Sequence, residues 1–304
     1  MTLDNLSKKM LEQVANLHKI PDGAVSIRKN GKSEVMQSTK HIEIFKKEDV
    51  PGIDVYVHSS CQNEACHIPV IVTENNLFDE TYNDFYIEDG AVVTIVAGCG
   101  LHTDANGGHS GVHTFHVGKN AKVSYVENHL ATGKGTHKEL SPTTKIELGQ
   151  GSYMEISTTQ LGGVDYANRI TTATLKEGAN LVVNEKILTD RFDVAKTNFK
   201  ATLSGKNSKC NIVSRSVAKG ESEQEFKSNI IGKSACFGRV ECDGILLDDA
   251  KITSTPKITA QSNLAELSHE AAIGRIAGEQ LTKLMTLGLT EKQAETKIIE
   301  GFLK

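Results

Sequence analysis

Hydrophobic and polar positions divide the chain into three textures. Leu3, Leu6, Met10, Leu11, Val14 and Leu17 recur at steps of three, four and one, the stripe of an amphipathic helix. Pro21-Asp22-Gly23 is expected to stop it. From Ala24 to about Ile258, short alternating runs rich in Val, Ile and Thr are broken by Gly, Asn and Asp, which predicts many short strands. Past Pro256 the apolar spacing lengthens and two helices are expected. Ser268 is placed to cap the first, through His269, Ile273, Ile276, Ala277, Leu281 and Leu284 to a C-cap at Gly288. Thr290 with Gln293 makes a capping box for the second, through Ala294, Ile298 and Ile299. The chain thus divides into an N-terminal helix (1–22), a β core (23–258) and a C-terminal helical domain (259–304).

Within the β region one phrase recurs: a polar or Gly pair, a small residue, then an alternating strand. Its small residues are Ala91, Ala121, Ser152, Ala179, Ser208 and Ser234, spaced 30, 31, 27, 29 and 26 positions apart. A near-constant period of this length points to a solenoid, in which each unit buries its apolar side only by stacking on its neighbours. The Gly or Asn before the small residue suits a turn that needs positive φ. A β-sandwich of regular hairpins is the alternative.

Composition narrows the function. Aromatic residues are 5% and Trp is absent, so the core must be aliphatic, and a sugar-binding groove of the kind used by β-helix polysaccharide enzymes has little to build on. The net charge of −4 arises from 34 basic and 38 acidic residues spread along the chain, which argues against a nucleic-acid partner. The opening residues, MTLDNLSKKMLEQ, have no apolar stretch behind a basic start, and no run approaches the ~18 apolar residues of a membrane span. A cytoplasmic protein without membrane contact is expected, with its six cysteines as free thiols.

Gly-Lys-Ser occurs twice, yet the Gly that completes a phosphate-binding loop is replaced by Lys227 in one copy and Ser26 in the other, so both are expected to be turns. No GxSxG elbow is present. His102, His109, His113 and His116 cluster behind Cys99. On a strand His109 and His113 share a face and His116 takes the other, so two imidazoles near a thiol could bind a borderline metal or be a plain surface cluster. Cys61 and Cys66 are equally open between core and site. Cys242 with Asp243 ends the β region and His269-Glu270 opens the expected helix, so thiolate, imidazole and carboxylate can converge there. At a helix start His269 would resist protonation and keep a nitrogen free for metal. A structural arrangement is the alternative.

These residues resemble the SufB/SufD family, the scaffold subunits of Suf iron–sulfur cluster assembly, and are closest to a compact SufB. The resemblance rests on Cys242-Asp243, His269-Glu270-Ala271, Leu281 through Gly288 and Gly301-Phe302. Upstream it rests on Val96-Ala97-Gly98-Cys99, Gly108-His109 and Asn120 through Tyr125. It implies a right-handed parallel β-helix with a helical C-terminal domain that docks a SufC-like ABC-type ATPase. It implies a non-enzymatic scaffold carrying a transient iron–sulfur cluster, with Cys99 as sulfur acceptor and Cys242, His269 and Glu270 at the cluster. His109 is a candidate additional ligand. Further implied partners are a second copy or a SufB/SufD paralogue, a cysteine desulfurase or sulfur carrier, and a reduced flavin. The alternative is a SufD-like structural partner without a cluster. Gly-Leu-His follows Gly98-Cys99 where the family has Thr-Ala-Pro, and Ser268 stands where SufB often has an acid.

Overall fold

Each expected repeat becomes one coil of a solenoid of about eight turns. In five of the six copies the residue before the small one is left-handed: Gly90 (φ 76°), Asn120 (53°), Gly151 (66°), Gly178 (66°) and Asn207 (59°). Their amides donate to the same turn of the next coil, as from Gly90 to the Lys119 carbonyl and from Gly151 to that of Glu177, both 2.8 Å. Stacked turns thereby satisfy backbone groups that a lone turn would leave to water. The small residue tucks beneath: Ala91, Ala121, Ser152, Ala179 and Ser208 are all buried. The sixth copy keeps the spacing but not the left-handed residue.

The computed structural model describes residues 4–304. Two ten-stranded sheets face each other across the core. The first runs from Lys32–Gln37 to Ala265–Gly274, the second from Ile42–Lys46 to Lys251–Ala260. Pairing is parallel throughout except for two antiparallel hairpins at the N-terminal end. One Gly-Lys-Ser copy starts on the first of these hairpins, where Asn30 (φ 47°) and Gly31 (φ 76°) make the turn. The other lies between Glu223–Gly232 and Cys236–Leu246. Neither leads into a helix, so both are turns as expected.

Residues alternate inward and outward along most strands of the coils, and the inward ones form an aliphatic core with a few aromatics. Phe85 and Phe115 stack at 4.5 Å, and the Tyr125 ring meets Phe115 edge-on at 5.0 Å.

The N-terminal helix α1 (Asn5–Ala15) is capped by Asp4, whose carboxylate accepts from the Ser7 amide. It ends earlier than expected, because Asn16 turns left-handed at φ 52° well before Pro21. Leu3 lies outside the described residues. α1 lies on the outer face of the first sheet, and Gly98 and Gly100 make room for it. A Cβ on Gly98 would stand 2.6 Å from the Val14 carbonyl oxygen, and one on Gly100 would stand 2.8 Å from the Met10 methyl.

The C-terminal region departs from expectation. No helix starts at Ser268; His269 and Glu270 lie in the strand Ala265–Gly274, paired in parallel along Cys236–Leu246. The β ladder therefore continues past 258 to Gly274. Leu267, His269, Ala271 and Ile273 already alternate, and the waiting edge of the previous coil supplies hydrogen bonds that outweigh the helix propensity of Glu-Ala-Ala. The helices follow: α2 (Gly278–Thr286), with Gly288 at φ 92° just past its end, and α3 (Glu291–Phe302), with the expected Thr290/Gln293 capping box. They do not plug the open end. α3 is tied to the side of the solenoid by Lys219–Glu295 (3.2 Å) and by Lys186, which donates to the Lys304 carbonyl (2.8 Å). Ile258, Leu264 and Ile273 of the last coil stay exposed.

Candidate functional site

Cys242 and His269 meet at the terminal coil. Cys242 faces inward from Cys236–Leu246 and is buried; His269 faces the same way from Ala265–Gly274 and is half-buried. Cys242 Sγ and His269 Nε2 are 3.5 Å apart. The residue level with Cys242 on the last strand is Ala271, and the residue level with His269 is Val240, so the pair forms diagonally between neighbouring coils. Burial pushes the Cys242 thiol up to about 12 and lowers the His269 pKa. The low basicity of His269 thus comes from burial within a sheet, not from a helix start. A neutral imidazole beside a thiol is a soft, borderline donor pair that takes a transition ion once the thiol gives up its proton.

Glu270 is not brought to this pair. Neighbouring strand residues point to opposite faces, and the Glu270 carboxylate sits outside, where Arg239 donates to it at 2.9 Å. Asp243 likewise alternates away from Cys242.

Cys99 lies elsewhere. It faces inward from Val92–His102, five strand steps along the first sheet from Cys242's strand, about 24 Å at the usual strand spacing. Burial, followed by the Asp79 and Glu127 carboxylates, raises its thiol well above the ordinary value. His109 and His113 are buried near it, as the shared-face expectation requires, and His116 points out and stacks on Tyr86 at 5.0 Å. His102 is half-buried and bonded to Thr132 Oγ1 at 2.9 Å. Cys61 and Cys66 are free and buried in the core.

Between the two cysteines the interior carries a polar column. Glu127, Thr158, Glu185, Ser214 and Cys242 occupy the same level on successive strands, all facing inward. Arg169, from the opposite sheet, donates to Glu127 and lies 3.7 Å from Glu185. Ser214 and Thr197 donate to Glu185 at 2.8 and 2.9 Å. Burial alone would raise Glu127, but the Arg169 guanidinium and then His129 outweigh it and hold the carboxyl well below its usual range. The signal for this column was present in the sequence: polar residues at the inward positions of otherwise apolar alternating strands.

The chain is a parallel β-helix that buries an ion network along its axis and brings a thiol and an imidazole together on its last two coils. The family model of the SufBD core domain of SUF-system iron–sulfur cluster assembly matches residues 73–302. A SufBD family iron–sulfur cluster assembly protein of Archaeoglobus fulgidus is 30% identical over 267 residues, covering 86% of this chain and 71% of that protein. One of Methanocaldococcus jannaschii is 28% identical over 242 residues, covering 78% and 75%. A chloroplastic one of Arabidopsis thaliana is 28% identical over 264 residues, covering 80% of this chain and 46% of its own length. The chain belongs to the SufBD family, whose role is in iron–sulfur cluster assembly. Among the described residues no helix is long and apolar enough to cross a membrane.

Proposed function

We propose that this chain is a scaffold on which a transient iron–sulfur cluster is built at its terminal coil, with Cys242 as thiolate anchor and His269 as imidazole ligand. The observation that carries the reading is the 3.5 Å Cys242–His269 contact on the last two strands of the first sheet. Mixed sulfur and nitrogen ligands hold a cluster less firmly than four thiolates, which suits a cargo that must leave.

Among the described residues the outer edge of Ala265–Gly274 has no partner strand, and an unpaired edge is a template for another chain. A second copy, or a SufB/SufD paralogue, meeting there would bring its own thiol–imidazole pair and carboxylates, Glu270 among them, and so complete the ligand set. The α2–α3 hairpin, with Met285 and Leu287 exposed, is the docking element for a SufC-like ABC-type ATPase, whose domain motion reshapes the site. Sulfur arrives as persulfide from a cysteine desulfurase or carrier. Cys99 is its acceptor and must be uncovered to act, because only an accessible thiolate attacks sulfur.

Anaerobic reconstitution with iron and sulfide, with and without the ATPase, tests the reading by visible absorption. Cys242→Ala is expected to lose most of the cluster; parent-like loading would overturn the anchor assignment. Co-purification with the ATPase after deletion of Thr290–Lys304 tests the docking element, and undiminished binding would exclude it.

A further inference from the structure

Three residues of the strand Asn106–Val117 face inward in succession: His109, Gly111 and His113. Two side chains four residues apart on a strand do not normally meet, because the residue between them fills the gap. Here that residue has no side chain. A Cβ on Gly111 would stand 2.7 Å from His113 Nε2 and 3.4 Å from His109 Nε2, so both rings lean over the glycine with the same nitrogen toward one small space.

The surrounding hydrogen bonds fix which nitrogens carry protons. Tyr125 gives its single hydroxyl proton to Glu127 Oε1 at 3.0 Å, and His113 Nδ1 lies 3.2 Å from the same phenol oxygen. His113 must therefore donate from Nδ1, which leaves Nε2 a bare lone pair. His109 turns Nδ1 toward Asp79 Oδ2 at 3.5 Å, a charge contact rather than a hydrogen bond, and that nitrogen has no hydrogen-bond partner. Arg28 holds the Asp79 carboxylate through two hydrogen bonds of 2.8 and 2.7 Å. The proton on His109 belongs beside that carboxylate, so its Nε2 is bare too. An imidazole whose far N–H is held by a carboxylate or another fixed oxygen is the usual form of a metal-ligating histidine. His129 differs: Arg169 and Glu127 already face its two nitrogens. The space over Gly111 is a cavity of about 10 Å³, also lined by Cys99, which has room for one water or one ion.

The geometry points to a second metal site inside the solenoid, in which His109 Nε2 and His113 Nε2 bind one borderline divalent ion, Zn(II) or Fe(II), over Gly111 with the Cys99 thiolate as third ligand. Among the described residues no three such side chains already stand at ligand spacing, so binding draws the two rings and the Cys99 side chain inward. The thiol proton leaves to solvent as the metal–sulfur bond forms, and no electron is transferred. The site shares no residue with the Cys242–His269 pair and so stands apart from the cluster anchor; it does use Cys99, whose thiolate a bound ion would hold back from accepting sulfur.

The test uses the full chain carrying Cys242→Ala and His269→Ala, stripped with chelator and titrated anaerobically with Co(II), then with Zn(II) and Fe(II) by dialysis and metal analysis. The expected result is one tightly held ion, a cobalt spectrum with a sulfur charge-transfer band that Cys99→Ala removes, and binding weakened at least about tenfold by Gly111→Ala or His113→Gln. Gly111 does not have positive φ, so Ala suits its backbone. Circular dichroism identifies any variant that fails to fold, and His113→Gln decides the matter if Gly111→Ala does. Retention of well under one ion in the parent background, or retention undiminished by both variants, would mean that the cavity holds water and would overturn the proposal.

Discussion

Cys242 Sγ lies 3.5 Å from His269 Nε2 although 27 residues separate them, because one full coil returns the chain to the neighbouring strand. The coil length brings them together, and the parallel register offsets them into a diagonal contact.

The thiol of that pair, and those of Cys66 and Cys210, are pushed up to about 12 by burial. Each pKa rises from the ordinary 9.0, so the folded state prefers the protonated thiol. Their contribution is intact below about pH 9 and is lost progressively as pH rises toward 12, where the unfolded chain has already ionised. Stability measured by denaturant titration should fall across that window. It should fall less steeply in Cys66→Ala and Cys210→Ala, and near pH 8 iodoacetamide should label none of the three in the folded chain.

Glu270 offers a way to separate ligation from stability. Its bond to Arg239 is exposed, and solvent screens such a pair so strongly that it adds little to stability. Glu270→Gln should leave the thermal midpoint nearly unchanged while lowering cluster loading in the assembled complex. Unchanged loading would remove the carboxylate from the ligand set.

Arg169 bridges two carboxylates in the axis. Arg169→Met leaves Glu127 and Glu185 buried without their cation, a loss of about 3–5 kcal/mol. Chemical denaturation should show it. Adding Glu127→Gln and Glu185→Gln should recover much of the loss.

Gly98 leaves no room for a side chain beneath α1. Gly98→Val forces side-chain atoms into the Val14 backbone and should lift the helix, at a cost of about 1–3 kcal/mol. Faster proteolysis around residues 5–16, with the β signal in circular dichroism intact, is the expected signature. Protection equal to the parent would mean that the helix is held by other contacts.

Much of the solenoid was legible before any coordinates. The period from Ala91 to Ser234 is visible because every coil must meet the same local demand, a left-handed residue followed by one small enough to tuck under the turn. The Thr290 capping box was readable for the same reason, since all its partners lie within three residues. Ser268-His269-Glu270-Ala271-Ala272 reads as a helix start because local propensity favours one, yet it forms a strand. What decided it was the open edge of the previous coil, 29 residues upstream in register, as from His269 to Val240.

By itself the sequence determined the repeat, the residue types able to bind iron and, up to about Ile258, which strand positions face inward or outward. The tertiary structure alone decided which of those residues meet. It joined Cys242 to His269, turned Glu270 away, set Cys99 five strands from the terminal coil and drew His109 and His113 together over Gly111. The reason is physical: alternation is fixed by covalent geometry within a strand, whereas contact between strands depends on how many residues each coil spends before it returns.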